Sequence, residues 1–188
     1  MKKYELTDET LKIGPITLHR IKALAAFANV DAGDLGGWIE KESNLDQKGN
    51  AWVSDNAWVS DNARVSDNAR VFGNARVFGN ARVSGDARVS GDAMVFGRNH
   101  HLTIGPIGSR NDTITFTRNK KGGIFAAVGC FFGTLAEFRA KVSKTHGDNI
   151  HAQAYLLAAQ LAELRIDTTP ISDTQEEPTE GCEKGSAK

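Results

Sequence analysis

The sequence predicts a mainly β protein: a parallel β-solenoid through the middle of the chain, then a small α+β segment and a polar tail. Three observations carry this. Eight six-residue units run without insertion from Ala51 to Arg98 (AWVSDN, AWVSDN, ARVSDN, ARVFGN, ARVFGN, ARVSGD, ARVSGD, AMVFGR). Two helical patterns follow between residues 134 and 165. The stretch 167–188 holds a single large aliphatic side chain, Ile171.

Each unit has Ala first and Val third, two apart, so both point to one face of a short strand while the residue between them points away. The fifth and sixth positions are Asp, Gly or Asn until Arg98, residues that tolerate the left-handed backbone of a tight corner. A strand of about three residues and a corner, repeated, winds a solenoid. Val53, Val59, Val65, Val71, Val77, Val83, Val89 and Val95 are expected inside. Residues 33–50 are expected to add one more coil, with Ile39 and Leu45 at the alanine phase of the repeat. Asn99-His100-His101 breaks the pattern and ends the coil. So short a stack has two open ends and needs caps or partners.

Before the solenoid (33–98), residues 1–32 alternate apolar and polar on either side of Gly14-Pro15, which reads as a strand pair or bent strand capping its lower end. In residues 99–166, LTIGPIGS and TITFTRN read as strands and IFAAVGCFF as a buried strand. Thr134 and Glu137 form a capping box for a helix with Leu135, Phe138 and Val142 on one face. Gly147 suits a helix stop. Asp148 or Asn149 caps a second helix with Ile150, Ala154, Leu157, Leu161 and Leu164 as its apolar stripe. Residues 167–188 are too polar to bury a core and read as a disordered tail.

Composition narrows the function classes. The 188 residues carry 23 basic and 23 acidic side chains, a balance that gives no support for a nucleic-acid or membrane partner. No apolar run is long enough to span a bilayer and the first residues lack a signal-peptide core. With only Cys130 and Cys182, a disulfide framework is not expected and a cytoplasmic location is the default.

With 18 residues per coil, outward side chains 18 apart form columns. Trp58, Phe78, Met94 and Phe96 fall on one face and make an apolar stripe large enough for a contact surface; the alternative is that the C-terminal segment covers it. Arg64, Arg70, Arg76, Arg82 and Arg88 are expected to lie along strand faces and pair with corner aspartates, the alternative being an anion-binding ladder.

The polar residues that repeat geometry does not require cluster after it. Ser109, Arg110, Asp112 and Thr113 follow a GPIG turn and offer a hydroxyl and a bidentate guanidinium to a phosphate or carboxylate. His146, Asp148 and His151 stand at a helix start, where the dipole favours an anion. The bland alternative is a turn and a cap. No metal is expected, since no fourth ligand accompanies these histidines, and no cofactor or catalytic residue is assigned. Cys130, in AAVGCFFG, reads as a small buried hydrophobe.

The Val-x-x-x-Ala-x spacing resembles the hexapeptide repeat of left-handed β-helix proteins, in which three units make a triangular coil. That resemblance implies a left-handed β-helix and a homotrimer around the aromatic stripe. It also brings in acyl transfer with coenzyme A, for which His100 or His101 is the only position for a base. The order DLGGWIE (34–40), Asn44-Leu45, the repeats, IGPIGSR (104–110), Gly-Cys-Phe (129–131) and THGDN (145–149) is similar to small phage- and prophage-encoded hexapeptide-repeat proteins. It implies a non-enzymatic accessory protein acting inside a bacterial cell. Such a protein would bind or sequester a small phosphorylated host ligand, such as a nucleotide-derived defence signal. The remaining alternative is a structural virion or assembly part.

Overall fold

The computed structural model describes residues 2–169; the tail expected over 167–188 lies mostly outside these. The chain begins with a hairpin, β1 (Tyr4–Ile13) and β2 (Ile16–Ala23), turning at Gly14-Pro15. β3 (Leu35–Ile39) pairs antiparallel with β2. The repeats then give eight two-residue strands, β4 (Trp52–Val53), β5 (Trp58–Val59), β6 (Arg64–Val65), β7 (Arg70–Val71), β8 (Arg76–Val77), β9 (Arg82–Val83), β10 (Arg88–Val89) and β11 (Met94–Val95). All stack in parallel on three faces: β4-β7-β10, β6-β9, and β3-β5-β8-β11, with the hairpin extending the last.

The predicted interior is the observed one: all eight repeat valines and all eight repeat alanines are buried. Corners follow from the fifth position of each unit. Asp55, Asp61, Asp67, Gly73, Gly79, Gly85 and Gly91 all have positive φ, where glycine is free of the Cβ penalty. The aspartates occupy only the lower corners, and the coil above explains why they are tolerated. The Asp55, Asp61 and Asp67 carboxylates accept from the backbone N–H of Gly73, Gly79 and Gly85 at 2.9, 2.9 and 3.0 Å. These bonds reward aspartate below glycine, whereas stacked aspartates would place like charges together.

The first coil departs from the expected register. Ile39 pairs with Val59 and Leu45 bridges to Val65, so both sit at the valine phase, not the alanine phase. The cause is an enlarged corner. The Asp46 N–H bonds the Val65 carbonyl while the Asn50 N–H bonds that of Asp67, so Gln47, Lys48 and Gly49 make a longer turn than the repeats use. That corner anchors the N-terminus. Gln47 Oε1 accepts from the Lys3 N–H at 2.8 Å, and the Lys3 ammonium donates to the carbonyls of Ala51, Lys48 and Gly49 at 2.8, 3.4 and 3.4 Å. Buried Tyr4 donates to the Leu45 carbonyl at 2.7 Å. The hairpin thus closes the lower end of the solenoid core, with Trp52 covered by Phe27 and Tyr4.

Beyond the solenoid, β12 (His101–Ile107), β13 (Asp112–Arg118), β14 (Ile124–Val128) and β15 (Phe131–Thr134) form an antiparallel sheet in sequence order. On β13, Ile114 and Phe116 point into a core shared with the helices, while Thr115 and Thr117 take the opposite face. Thr115 Oγ1 accepts the backbone N–H of Arg88 at 3.0 Å, and the Lys120 N–H reaches the Asp92 carbonyl at 3.1 Å. The sheet therefore lies on the upper solenoid and satisfies groups that an open end would expose. Helices α1 (Leu135–His146) and α2 (Ile150–Arg165) cover its other face. The Thr134–Glu137 capping box forms as expected, and Asn149 caps α2 by accepting from the amides of His151 and Ala152.

Two expectations are corrected here. IFAAVGCFF is a hairpin, not a single buried strand: Val128 pairs with Phe131 across a two-residue turn, Gly129-Cys130. Gly129 has φ of 54°, the first-position glycine that a II′ turn requires. Cys130 is consequently exposed. In α2 the packed face is Ala152, Tyr155, Ala158, Ala159 and Ala162, and the Ile150-Leu157-Leu161-Leu164 stripe faces solvent. Small alanines let the helix lie close to the sheet and α1, and Arg139 fixes the helix pair through a bidentate ion pair with Glu163 at 2.8 and 2.7 Å.

Candidate functional site

A cleft of about 370 Å³ opens where the β12–β13 turn, the Gly129-Cys130 turn and the C-terminal half of α1 meet. Ser109, Arg110 and Asp112 line one side, Lys141, Thr145 and His146 the other, with Tyr155, Cys130, Phe131 and Phe138 between them. The turn that presents Arg110 is fixed locally: Gly108 and Asn111 both have positive φ, and the Asn111 N–H bonds the Gly108 carbonyl at 3.3 Å. Helix phase presents the opposite wall, since Phe138, Lys141, Val142 and Thr145 follow one face of α1 at spacings of three and four.

Tyr155 is the floor. It is 8% exposed, its ring lies 5.7 Å from both Phe138 and His146, and its hydroxyl sits against Gly108, where an added Cβ would come within 2.0 Å of it. Burial, and then the Asp112 carboxylate, raise its pKa, while Arg110 acts against them. The phenol is thus held neutral, a hydrogen-bond donor in the lining of the cleft. Arg110 and Lys141 are exposed and form no ion pair among the described residues. Asp112 is partly engaged, since its carboxylate accepts from the Thr113 N–H at 2.8 Å.

Four of the residues singled out in the sequence, Ser109, Arg110, Asp112 and His146, thus share one cleft. His146 is the last residue of α1 and not at a helix start, because the helix runs on to its Gly147 cap, so no N-terminal dipole favours an anion there. His151 stands behind it in the first turn of α2, ring centroids 6.0 Å apart. Asp148 and Thr113 do not line it: the Asp148 carbonyl accepts from Gln153, and the Thr113 side chain lies against Gly105. Sequence pattern gives no role here to Lys141, Tyr155 or Cys130, which the structure adds. The signal for Lys141 was its place three residues after Phe138 and four before Thr145. Among the described residues no three His, Cys, Asp or Glu side chains converge as a metal site.

The solenoid faces are partly occupied by the chain itself. Trp58, Phe78 and Phe96 form a ladder at 5.6 and 5.2 Å, but Met94 is 4% exposed beside Lys120. Phe96 packs on His100 at 3.8 Å with the Arg118 guanidinium over it at 5.5 Å. Arg70 reaches the Asn29 side chain and Arg88 the Gly129 carbonyl, not corner aspartates. Of the two positions open to an acyl-transfer base, His100 is engaged and His101 keeps a buried Nδ1 without a hydrogen-bond partner. His100 is 4% exposed and its Nδ1 accepts from the Phe96 N–H at 3.2 Å; burial, then Arg118, lower its pKa. Burial and then His100 lower that of His101.

The class defined by this fold is a β-solenoid scaffold carrying an α+β lobe. A repeat family described as YdcK beta solenoid repeat matches residues 63–77 and 75–91. A protein of Escherichia coli (strain K12) described as "Uncharacterized acetyltransferase YdcK" is 36% identical in an alignment 63 residues long that covers 29% of this chain and 19% of that protein. The chain thus matches only about a fifth of that relative's length, and the matched repeats lie within the solenoid, apart from the cleft. No described helix is long and apolar enough to cross a membrane.

Proposed function

We propose that this protein is a binding module whose α+β lobe takes a small phosphate-bearing ligand in the cleft between Arg110 and His146. One observation carries the reading: in a chain with no net charge, Arg110, Lys141 and His146 converge from a turn and a helix on one cleft, with Arg110 and Lys141 free of carboxylate partners among the described residues. A guanidinium offers two parallel donors to a phosphate and an ammonium supplies a point charge. Ser109, Thr145 and the Tyr155 phenol add neutral donors, Asp112 an acceptor for a ligand hydroxyl or amino group, and Phe131 an apolar wall. At about 370 Å³ the space is at the small end of ligand pockets, a size suited to a nucleotide or a sugar phosphate. The solenoid serves as the rigid support on which the lobe is built.

Isothermal titration of the full chain with nucleoside diphosphates and inorganic pyrophosphate tests this. Arg110→Ala and Lys141→Ala each lower affinity by about tenfold or more, as expected for charge-assisted bonds of ~1.5–3 kcal/mol, with unchanged thermal unfolding. Failure of every phosphorylated ligand to bind, or binding indifferent to both substitutions, contradicts it.

A second reading, acyl transfer, draws on the printed description of the matched relative. It predicts coenzyme A binding along the solenoid that survives Arg110→Ala. The burial of His100 weighs against its serving as the base.

A further inference from the structure

We infer that the outer face of α2 is a self-association surface that pairs with the same helix of a second copy of this chain. Ile150, Leu157, Leu161 and Leu164 are 69%, 65%, 43% and 84% exposed, a concentration of large aliphatic surface unusual for a face left in water. Their order is that of a coiled-coil seam. With Ile150 at d, Ala154 falls at a, Leu157 at d, Leu161 at a and Leu164 at d, the alternating spacing of three and four that knobs-into-holes packing requires. The buried face, Ala152, Tyr155, Ala158, Ala159 and Ala162, occupies positions b, e and f, so the lobe closes the e side of the seam and leaves the g side open. Ala154 stands at the border and packs on the lobe core, while the four large aliphatic side chains stay outside it.

The occupant follows from what borders the seam and from what the rest of the chain offers. A heptad seam calls for a helix, and the residues beyond Thr169 hold only Ile171 as a large aliphatic side chain, so they cannot fill four apolar positions. Arg118 donates to the carbonyls of Asp167 and Thr169, so the chain leaves α2 towards the solenoid. The open flank is Gln153 and Gln160 at successive g positions, and the exposed charge bordering the seam is Arg165 at the last e position, at the helix end. These amides carry no charge to repel an identical helix, and each is both donor and acceptor. A partner of different sequence would be selected by flanking charge; a neutral amide flank suits a copy of itself. A closed two-fold contact is the simplest arrangement. The helix presents about 21 Å of seam between Ile150 and Leu164 at ~1.5 Å per residue.

Light scattering on the full chain from about 5 to 100 µM, with the double variant Leu157→Gln, Leu161→Gln, tests the inference. The wild type is expected at twice the 20.3 kDa chain mass, and the variant at the chain mass, its self-affinity weakened by about 100-fold or more. Because these side chains face solvent, the variant keeps the helical circular dichroism and thermal midpoint of the monomeric fold. A closed assembly of another number that the double variant dissociates also supports the seam. A wild type that stays monomeric throughout this range, or an assembly that the double variant leaves intact, overturns it.

Discussion

Thr115→Val probes how the sheet is joined to the solenoid. The substitution keeps the β-branched shape and removes a single hydrogen-bond acceptor, since Oγ1 takes the Arg88 backbone N–H at 3.0 Å. Arg88 belongs to the uppermost coil of its face, where no further repeat supplies a carbonyl. Thr115 is 1% exposed, so the valine methyl that replaces the hydroxyl excludes water from the stranded amide. An orphaned buried donor costs about 1–3 kcal/mol. With a urea slope of about 2 kcal/mol per M, the midpoint falls by about 0.5–1.5 M. Thr117 supplies the control. It points to the same side, is 2% exposed, and makes no side-chain hydrogen bond among the described residues, so Thr117→Val changes stability by less than about 0.5 kcal/mol. Urea unfolding followed by circular dichroism separates the two. Equal midpoints for both variants would refute the capping argument.

Further expectations follow from particular contacts. Val77→Asp places an unpaired carboxylate at a fully buried position of the middle coil, a substitution that abolishes the folded state; a folded variant with protected amides over residues 70–90 in hydrogen exchange contradicts the solenoid core. Gly108→Ala meets a positive φ and the Tyr155 hydroxyl, costs about 1–3 kcal/mol, and weakens ligand binding by displacing the cleft floor; unchanged titration isotherms and stability would argue against that geometry. Stability also depends on pH through the lower cap. Burial brings Lys3 from 10.5 down to about 8, with Asp46 opposing, so the unfolded chain holds this proton more tightly and stability rises from about pH 8 towards 10.5. Burial, then Glu42, raise Tyr4 above its usual 10.0, so stability falls again once the unfolded phenol ionises. Denaturation midpoints should peak near pH 10, with Lys3→Met removing the rise and Tyr4→Phe the fall; a flat profile in the wild type would contradict both.

The solenoid was legible because its chemistry repeats: alanine and valine two apart can share an interior only in a strand, and Asp or Gly at the fifth position is what a left-handed corner needs. The first coil was legible in existence but not in register, since nothing in Gln47-Lys48-Gly49 marks two added residues until Lys3 and Tyr4 are seen bound there. In α2 periodicity revealed an apolar face and misassigned its role. Leucines outweigh alanines on any hydropathy scale, yet Ala158, Ala159 and Ala162 form the contact because small side chains permit close approach. Cys130 has the apolar neighbours of a buried residue in sequence, yet Val128-Gly129-Cys130-Phe131 is a hairpin turn and exposes it. Half the cleft came from turn chemistry visible in the sequence, at Ser109, Arg110 and Asp112. The other half, Lys141 and Tyr155, depends on how two helices are rotated over a sheet, which local pattern does not encode.

The cleft is tested most directly by backbone amide spectra of the isotopically labelled full chain during titration with a nucleoside diphosphate. The account predicts saturable shifts at Gly108–Asn111, Gly129–Phe131 and Lys141–His146, with the repeat amides of Ala51–Val95 unmoved. Shifts confined to the solenoid, or none at millimolar ligand, would contradict it.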